Sequence, residues 1–142
     1  MDIKAGATIA ALQAGLPLGA LENRILICHA LGLTRVALIT QSERALTEAE
    51  AANLAGLVDR RWNGEPIAYI VGKREFYGLD FLITKAVLIP RPDTELLVEL
   101  ALERLAPQGR VLDMGTGSGA IAVAIAHTRR DAQVTALDVS PA

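Results

Sequence analysis

The sequence has a single cysteine, Cys28, so no internal disulfide can form and a disulfide-stapled secreted scaffold is excluded. Aromatic residues make up only 4% and charged residues 21%, and the net charge is -2. With no basic excess, neither nucleic acid nor an anionic membrane surface is favoured as a partner. No uncharged apolar run approaches the roughly 20 residues that span a bilayer. The start, Met1-Asp2-Ile3-Lys4, lacks the basic flank and apolar run of a signal peptide. A metal-ligand cluster, a P-loop and a Ser-His-Asp arrangement are also missing. His29 and His127 have no partner by spacing, and Cys28 reads as a small core residue. These absences lead us to expect a cytoplasmic, metal-free protein, most simply a monomer.

What is present is apolar material: 51% of 142 residues, enough for one domain or two small ones. The texture divides in two. Up to about residue 72 the chain reads as successive helices. Ile3, Ile9, Ala10 and Leu12 give a short apolar face, and Leu21, Ile25, Leu26, His29 and Ala30 recur at helical spacing before Gly32. A short helix is predicted over Arg35 to Gln41. Thr47-Glu48-Ala49-Glu50 is a capping-box pattern, with Ala51, Leu54, Leu57, Val58 and Arg61 continuing behind it. Trp62 is expected to pack on the helical core. Pro66 suits the first turn of another short helix, ended by Gly72.

From Glu75 the pattern changes. Phe76-Tyr77-Gly78-Leu79-Asp80-Phe81-Leu82-Ile83 predicts a hairpin turning at Gly78. After Pro90 and Pro92, Asp93 or Thr94 is placed to cap a helix with Leu96, Leu97, Leu100, Ala101 and Leu105 on one face. Glu95, Glu99 and Glu103 form a solvated face beside it. A strand from Arg110 to Asp113, a glycine loop, a helix from about Gly119 to His127 and a strand from Gln133 to Asp138 open an α/β sheet. A sheet of two strands is unfinished, so the 142 residues are expected to be a fragment whose second half is less ordered than its first.

The glycine loop carries the chemistry. Gly115, Gly117 and Gly119 remove side chains where backbone must approach a ligand or adopt positive φ. The following helix offers its positive end. Nineteen residues after Gly119, Asp138 is placed to accept hydrogen bonds from ribose hydroxyls. The spacing is Gly-x-Gly-x-Gly, with Ala120 where the third glycine of the dinucleotide pattern would stand. That favours S-adenosylmethionine over a dinucleotide, because there is no pyrophosphate to cradle. Asp113 fits a ligand with a cationic amino group nearby. The predicted cofactor residues are Asp113, Gly115, Thr116, Gly117, Ser118, Gly119 and Asp138. The bland reading, a glycine-rich strand-to-helix turn, does not account for both acids.

Five segments together resemble the protein-glutamine N5-methyltransferases of the HemK/PrmC type, which modify class-I peptide chain release factors. They are the stretches 64–72 (Gly64-Glu65-Pro66-Ile67-Ala68-Tyr69-Ile70-Val71-Gly72), 74–79 from Arg74 to Leu79, 87–95 ending in Pro90-Arg91-Pro92-Asp93-Thr94-Glu95, 111–121, and 136–140. The likeness runs from about residue 18 onward, and Pro90 to Glu95 is its specific part. It implies a helical N-terminal bundle at 1–72 for substrate recognition, a β-hairpin linker at 73–92, and at 93–142 the first part of a Rossmann-like methyltransferase domain. It implies S-adenosylmethionine as cofactor, and as substrate the glutamine of the Gly-Gly-Gln loop of release factors. The alternatives are a glutamine methyltransferase of a ribosomal protein, or a non-catalytic protein-binding module. The family's Asn-Pro-Pro-Tyr motif, which holds the substrate amide, does not occur within the 142 residues, so no catalytic residue is assigned here and the fragment is expected to be inactive.

Three further residues are candidates for the cofactor or substrate mouth: Phe76, Arg91 and Thr94. For Phe76, with Tyr77 and Phe81, hairpin packing is the favoured reading. For Arg91 and Thr94 a linker with a helix cap is equally sound.

Overall fold

Thr8, Thr34 and Thr47 each precede a helix, and the hydroxyl of each accepts the backbone N–H three residues on, at 3.2 Å from Ala11, 3.1 Å from Ala37 and 3.3 Å from Glu50. Each bond satisfies an N–H that the helix itself cannot. The computed structural model describes residues 2–141. These form two units, one ending at Val71 and the other beginning at Gly72.

The first unit is helical: α1 (Ile9–Gly15), α2 (Ala20–Leu31), α3 (Arg35–Thr40), α4 (Glu48–Trp62) and α5 (Ile67–Val71). The capping box at α4 is complete, since Glu50 returns a carboxylate to the Thr47 N–H at 2.9 Å. Ile9, Leu26, Ile27, Leu54 and Val58 lie at the centre of the core. α2 is oriented differently from its predicted face: Leu21 and His29 are exposed, and Asn23 is buried. Polar and apolar residues are spread round this helix, Glu22, Asn23, Arg24 and His29 among them, so periodicity cannot choose its inner side. Asn23 shows what does: its Nδ2 donates to the carbonyls of Gln13 and Leu16, both at 3.2 Å, which are otherwise unmet at the end of α1. Trp62 is also a correction, being 66% exposed at the end of α4. Beside it Arg61 donates to Glu22 at 3.0 Å, tying the end of α4 to the start of α2. Cys28 is half-buried, and burial pushes its thiol pKa up.

In the second unit β1 (Lys73–Phe76) and β2 (Leu79–Leu82) pair antiparallel, with Phe76 opposite Leu79. Tyr77 and Gly78 both have positive φ, 52° and 71°, which is the twist a two-residue hairpin turn requires. Phe76, Phe81 and Ile83 are buried. α6 (Asp93–Arg104) follows, then β3 (Arg110–Met114), α7 (Ala120–Thr128) and β4 (Gln133–Leu137). β3 and β4 are parallel, Arg110 aligning with Gln133 and Met114 with Leu137. α7 packs on both strands, and α6 packs on α7. The strand–helix–strand unit is formed, its ladder and covering helix contiguous in sequence.

Two details of α6 differ from expectation. Pro92 occupies the cap position without a side-chain bond, so neither Asp93 nor Thr94 caps the helix. Val98 is its buried residue, whereas Leu96 and Leu97 are more than half exposed. Gly109, just before β3, marks a close approach: a Cβ there would lie 2.8 Å from the Ala106 carbonyl oxygen.

Candidate functional site

β3 runs directly into the glycine loop and β4 ends beside it. Gly115, Gly117 and Gly119 have φ of 76°, 56° and 78°, so each needs the left-handed conformation that only glycine adopts cheaply. A Cβ on Gly115 or Gly117 would meet no atom within 4 Å, so these positions also leave the outer surface of the loop open.

The loop is fastened by its two acids. Asp113 Oδ2 accepts from the Thr116 hydroxyl at 2.7 Å and from the Ala122 N–H at 3.2 Å, bridging β3, loop and α7. Asp138 sits exposed immediately after β4. Its Oδ1 accepts the Ser140 N–H at 2.9 Å and its Oδ2 the Gly117 N–H at 2.8 Å. These donors, Ser140 first, hold its carboxyl below the usual carboxylate range. The structure thus brings Asp138 onto the middle glycine across 21 residues of sequence.

The loop N–H groups have a different use from the one the sequence suggests. Gly115 and Thr116 both donate to the Leu137 carbonyl, at 2.8 and 3.0 Å, and Gly119 donates to Thr116. With Gly117 on Asp138, these amides serve the protein's own acceptors. An anion cradle needs such donors free. A loop built this way, flanked by two carboxylates, suits a neutral or cationic ligand and not a pyrophosphate. Among the described residues no group of histidine, cysteine, aspartate and glutamate is arranged to hold a metal.

The remaining candidates are Phe76, Arg91, Thr94 and Ser118. Phe76 is 1% exposed, packed edge-on against Phe81 with ring centroids 6.2 Å apart, so its packing role is plain and no ring face is left for a ligand. Arg91 is exposed and Thr94 half-buried, with the Thr94 N–H on the Arg91 carbonyl at 3.0 Å. Ser118 lies half-buried in the loop. Glu95 departs from the solvated face assigned to it: its Oε1 accepts the Tyr77 N–H at 2.9 Å, pinning the hairpin turn to the start of α6. Spacing alone carries no signal for that bond, since the two residues lie in different elements.

At the opposite end of the strand pair a second knot holds the framework. Arg129 donates to Asp131 and to the carbonyls of Leu105 and Ala106, and Asp131 accepts the Gln108 N–H at 2.8 Å. The Arg129 hydrogen bond, followed by that from Gln108, holds the Asp131 carboxyl well below its ordinary value of 3.8. A depressed carboxyl pKa contributes stability that is present above the unfolded value and is lost as pH falls through the folded one. The thermal midpoint of this unit is therefore expected to fall as pH is lowered from about 4. Asp131→Asn should flatten part of that fall, Asp138 supplying a remainder of the same sign. A midpoint whose acid dependence is unchanged by Asp131→Asn would refute the assignment.

Comparison with known proteins covers both units. Residues 7–72 match the PrmC N-terminal domain, and residues 92–142 match the methyltransferase small domain. A release factor glutamine methyltransferase of Burkholderia pseudomallei is 54% identical over 138 residues, covering 96% of this chain and 48% of the relative. Proteins of the same name from Vibrio cholerae and Neisseria gonorrhoeae are 46% and 49% identical, covering 91% and 84% of this chain and 46% and 44% of the relatives. The chain spans about half the length of the curated relatives it matches. No helix among the described residues is long and apolar enough to cross a membrane.

Proposed function

We propose that this chain, whose two parts match a PrmC N-terminal domain and a methyltransferase small domain, supplies the cofactor loop and the substrate-recognition unit of an S-adenosylmethionine-dependent methyltransferase acting on the glutamine of the Gly-Gly-Gln loop of class-I release factors. In this reading the helical part, 1–72, grips the protein substrate, the hairpin segment, 73–92, links, and 93–142 begins a Rossmann-like domain. The observation that carries it is the glycine loop whose Gly115, Thr116, Gly117 and Gly119 amides are satisfied internally while Asp138 remains exposed at its rim.

The residues present fit the cofactor. Asp138 keeps lone pairs on both oxygens beyond those used by Gly117 and Ser140, so ribose hydroxyls can donate to it. Gly115 and Gly117 leave room for close approach. S-adenosylmethionine supplies a methyl group activated by a sulfonium, a cation that the flanking carboxylates suit. Asp113 holds the loop in shape, with Thr116, Ser118 and Gly119 completing it. In this reading Arg91 and Thr94 belong to the cofactor or substrate mouth. The groups that hold the reacting amide are assigned to the length that the relatives have beyond this match. An amide nitrogen is a poor nucleophile because its lone pair is delocalised, so transfer depends on that positioning.

The test has two parts. Calorimetry with S-adenosylmethionine should show binding that Asp138→Ala weakens about tenfold or more, by loss of hydrogen bonds to a charged acceptor. The chain combined with the remaining length of the Burkholderia relative should then methylate a release factor, located on the Gly-Gly-Gln glutamine by mass spectrometry. Equal affinity in Asp138→Ala would end the ribose role. Methyl transfer to ribosomal proteins alone would replace the substrate.

A further inference from the structure

The corner where α4 ends carries a reactive pair of residues. Glu65 donates its N–H to the Arg60 carbonyl at 3.1 Å, and Gly64, at φ 90°, donates to the Arg61 carbonyl at 3.0 Å. These two bonds make a Schellman end, which turns the chain out of α4 toward α5. The Arg60 guanidinium also grips the Glu65 carboxylate through two bonds of 2.8 Å. The residue before the glycine, Asn63, is exposed. Two other asparagines occur, and both lie inside helices. Asn23 is buried with its Nδ2 on two carbonyls, and Asn53 donates to the Ala30 carbonyl at 3.2 Å. Among the described residues no group bonds to the Asn63 carboxamide. Arg24 and Leu54, which follow the other two, carry side chains that crowd the backbone nitrogen, and Gly64 carries none.

We propose that Asn63 is a site of spontaneous covalent modification, through attack of the Gly64 backbone nitrogen on the Asn63 side-chain carbonyl carbon. A bond forms between that nitrogen and Cγ, the Gly64 N–H proton passes through water to the side-chain nitrogen, and ammonia leaves. The cyclic imide that results takes up one water. Opening at one carbonyl gives aspartate, and opening at the other gives isoaspartate, whose main chain runs through the side-chain carbon. The folded corner slows the first step without preventing it. The Gly64 N–H must leave the Arg61 carbonyl, and Asn63 must leave its near-helical φ of -79° and ψ of 12° for the nitrogen to reach Cγ. A helix end opens locally at little cost, a route that the interior positions of Asn23 and Asn53 lack. Both products place a carboxylate at the C-terminus of α4, where the helix dipole disfavours it. Isoaspartate also adds a methylene to the main chain between Arg60 and Glu65. The Schellman bonds and the Arg60–Glu65 pair span that interval, so they lose their register. α5, with Ala68 and Ile70 buried, follows directly, and its junction with α4 is loosened.

The experiment incubates the 142-residue chain in mildly alkaline buffer, folded and in urea, and maps the products by mass spectrometry. Electron-transfer fragmentation tells isoaspartate from aspartate. Conversion is expected at residue 63 of the folded chain, several-fold slower than in urea, while Asn23 and Asn53 stay intact. Asn63→Gln, whose longer side chain closes a ring far less readily, should remain unmodified at that position. The isoaspartyl form is then separated by ion exchange and unfolded by heat. Trp62, the single tryptophan, adjoins the site, so its fluorescence reads this corner. The midpoint of the isoaspartyl form should lie about 4 °C or more below that of fresh protein. It should also lie below that of Asn63→Asp, which carries the charge without the added methylene. An Asn63 left intact in the folded chain over a period that converts the urea sample would overturn the proposal, as would equal conversion at Asn23 or Asn53. An isoaspartyl form that melts with Asn63→Asp would overturn the loss of register at the corner.

Discussion

Phe76→Ala is expected to destabilise the second unit by about 3–5 kcal/mol, the cost of removing a buried aromatic ring together with the cavity it leaves. The ring is 1% exposed, meets Phe81 edge-to-face at 6.2 Å and 73°, and lies 6.5 Å from Tyr77. It therefore loses area burial and aromatic pairing together. Phe76 is also the last strand residue before the turn, opposite Leu79. The turn itself is costly, because Tyr77 is held at φ 52° without being glycine. Its conformation persists because Phe76 anchors one side and Glu95 accepts its N–H on the other. Removing the anchor should loosen the turn as well as the core. Urea unfolding read by hydrogen exchange at hairpin amides measures the effect. Leu82→Ala, 85% exposed on the outer face, is the control and should stay within about 0.5 kcal/mol of the parent. Similar losses in the two variants would show that the hairpin is not organised around Phe76.

This hairpin also shows what a sequence discloses. Its aromatic and β-branched residues around Tyr77-Gly78 announce two strands and a turn, because those properties act within a few residues. The bond from Tyr77 to Glu95 is not announced, since it joins elements 18 residues apart and Glu95 fits a helix surface equally well. The same division runs through the site. Three alternating glycines and a distant acid mark the loop, because positive φ leaves a compositional trace. That the loop amides turn inward to Leu137 and Asp138 depends on the parallel pairing of β3 with β4, which spacing does not contain. α2 and α6 show the limit from the side of packing. Where a helix is apolar on several faces, the buried side is chosen by what meets it: Asn23 by two open carbonyls in α2, and Val98, not Leu96 or Leu97, in α6.

Asp113→Ala is the second large effect expected, a loss of about 1.5–3 kcal/mol in the stability of the strand–helix–strand unit, the range for hydrogen bonds to a charged acceptor. One oxygen, Oδ2, serves both the Thr116 hydroxyl and the Ala122 N–H, so a single deletion unfastens the loop from β3 and leaves the first turn of α7 with an unmet donor. Asp113→Asn keeps an acceptor of nearly the same shape without the charge, and should recover part of the loss. The pair of variants separates anchoring from direct ligand contact. If Asp113 acts through the loop, stability and S-adenosylmethionine affinity should fall together in Asp113→Ala and recover together in Asp113→Asn. If it instead touches a cationic group of the ligand, Asp113→Asn should restore stability but not affinity, since an amide oxygen replaces the hydrogen bond and not the charge. The inward geometry of Oδ2 favours the first result. Thermal unfolding and calorimetry on the two variants decide between them, and an Asp113→Ala protein as stable as the parent would remove Asp113 from the framework of the site altogether.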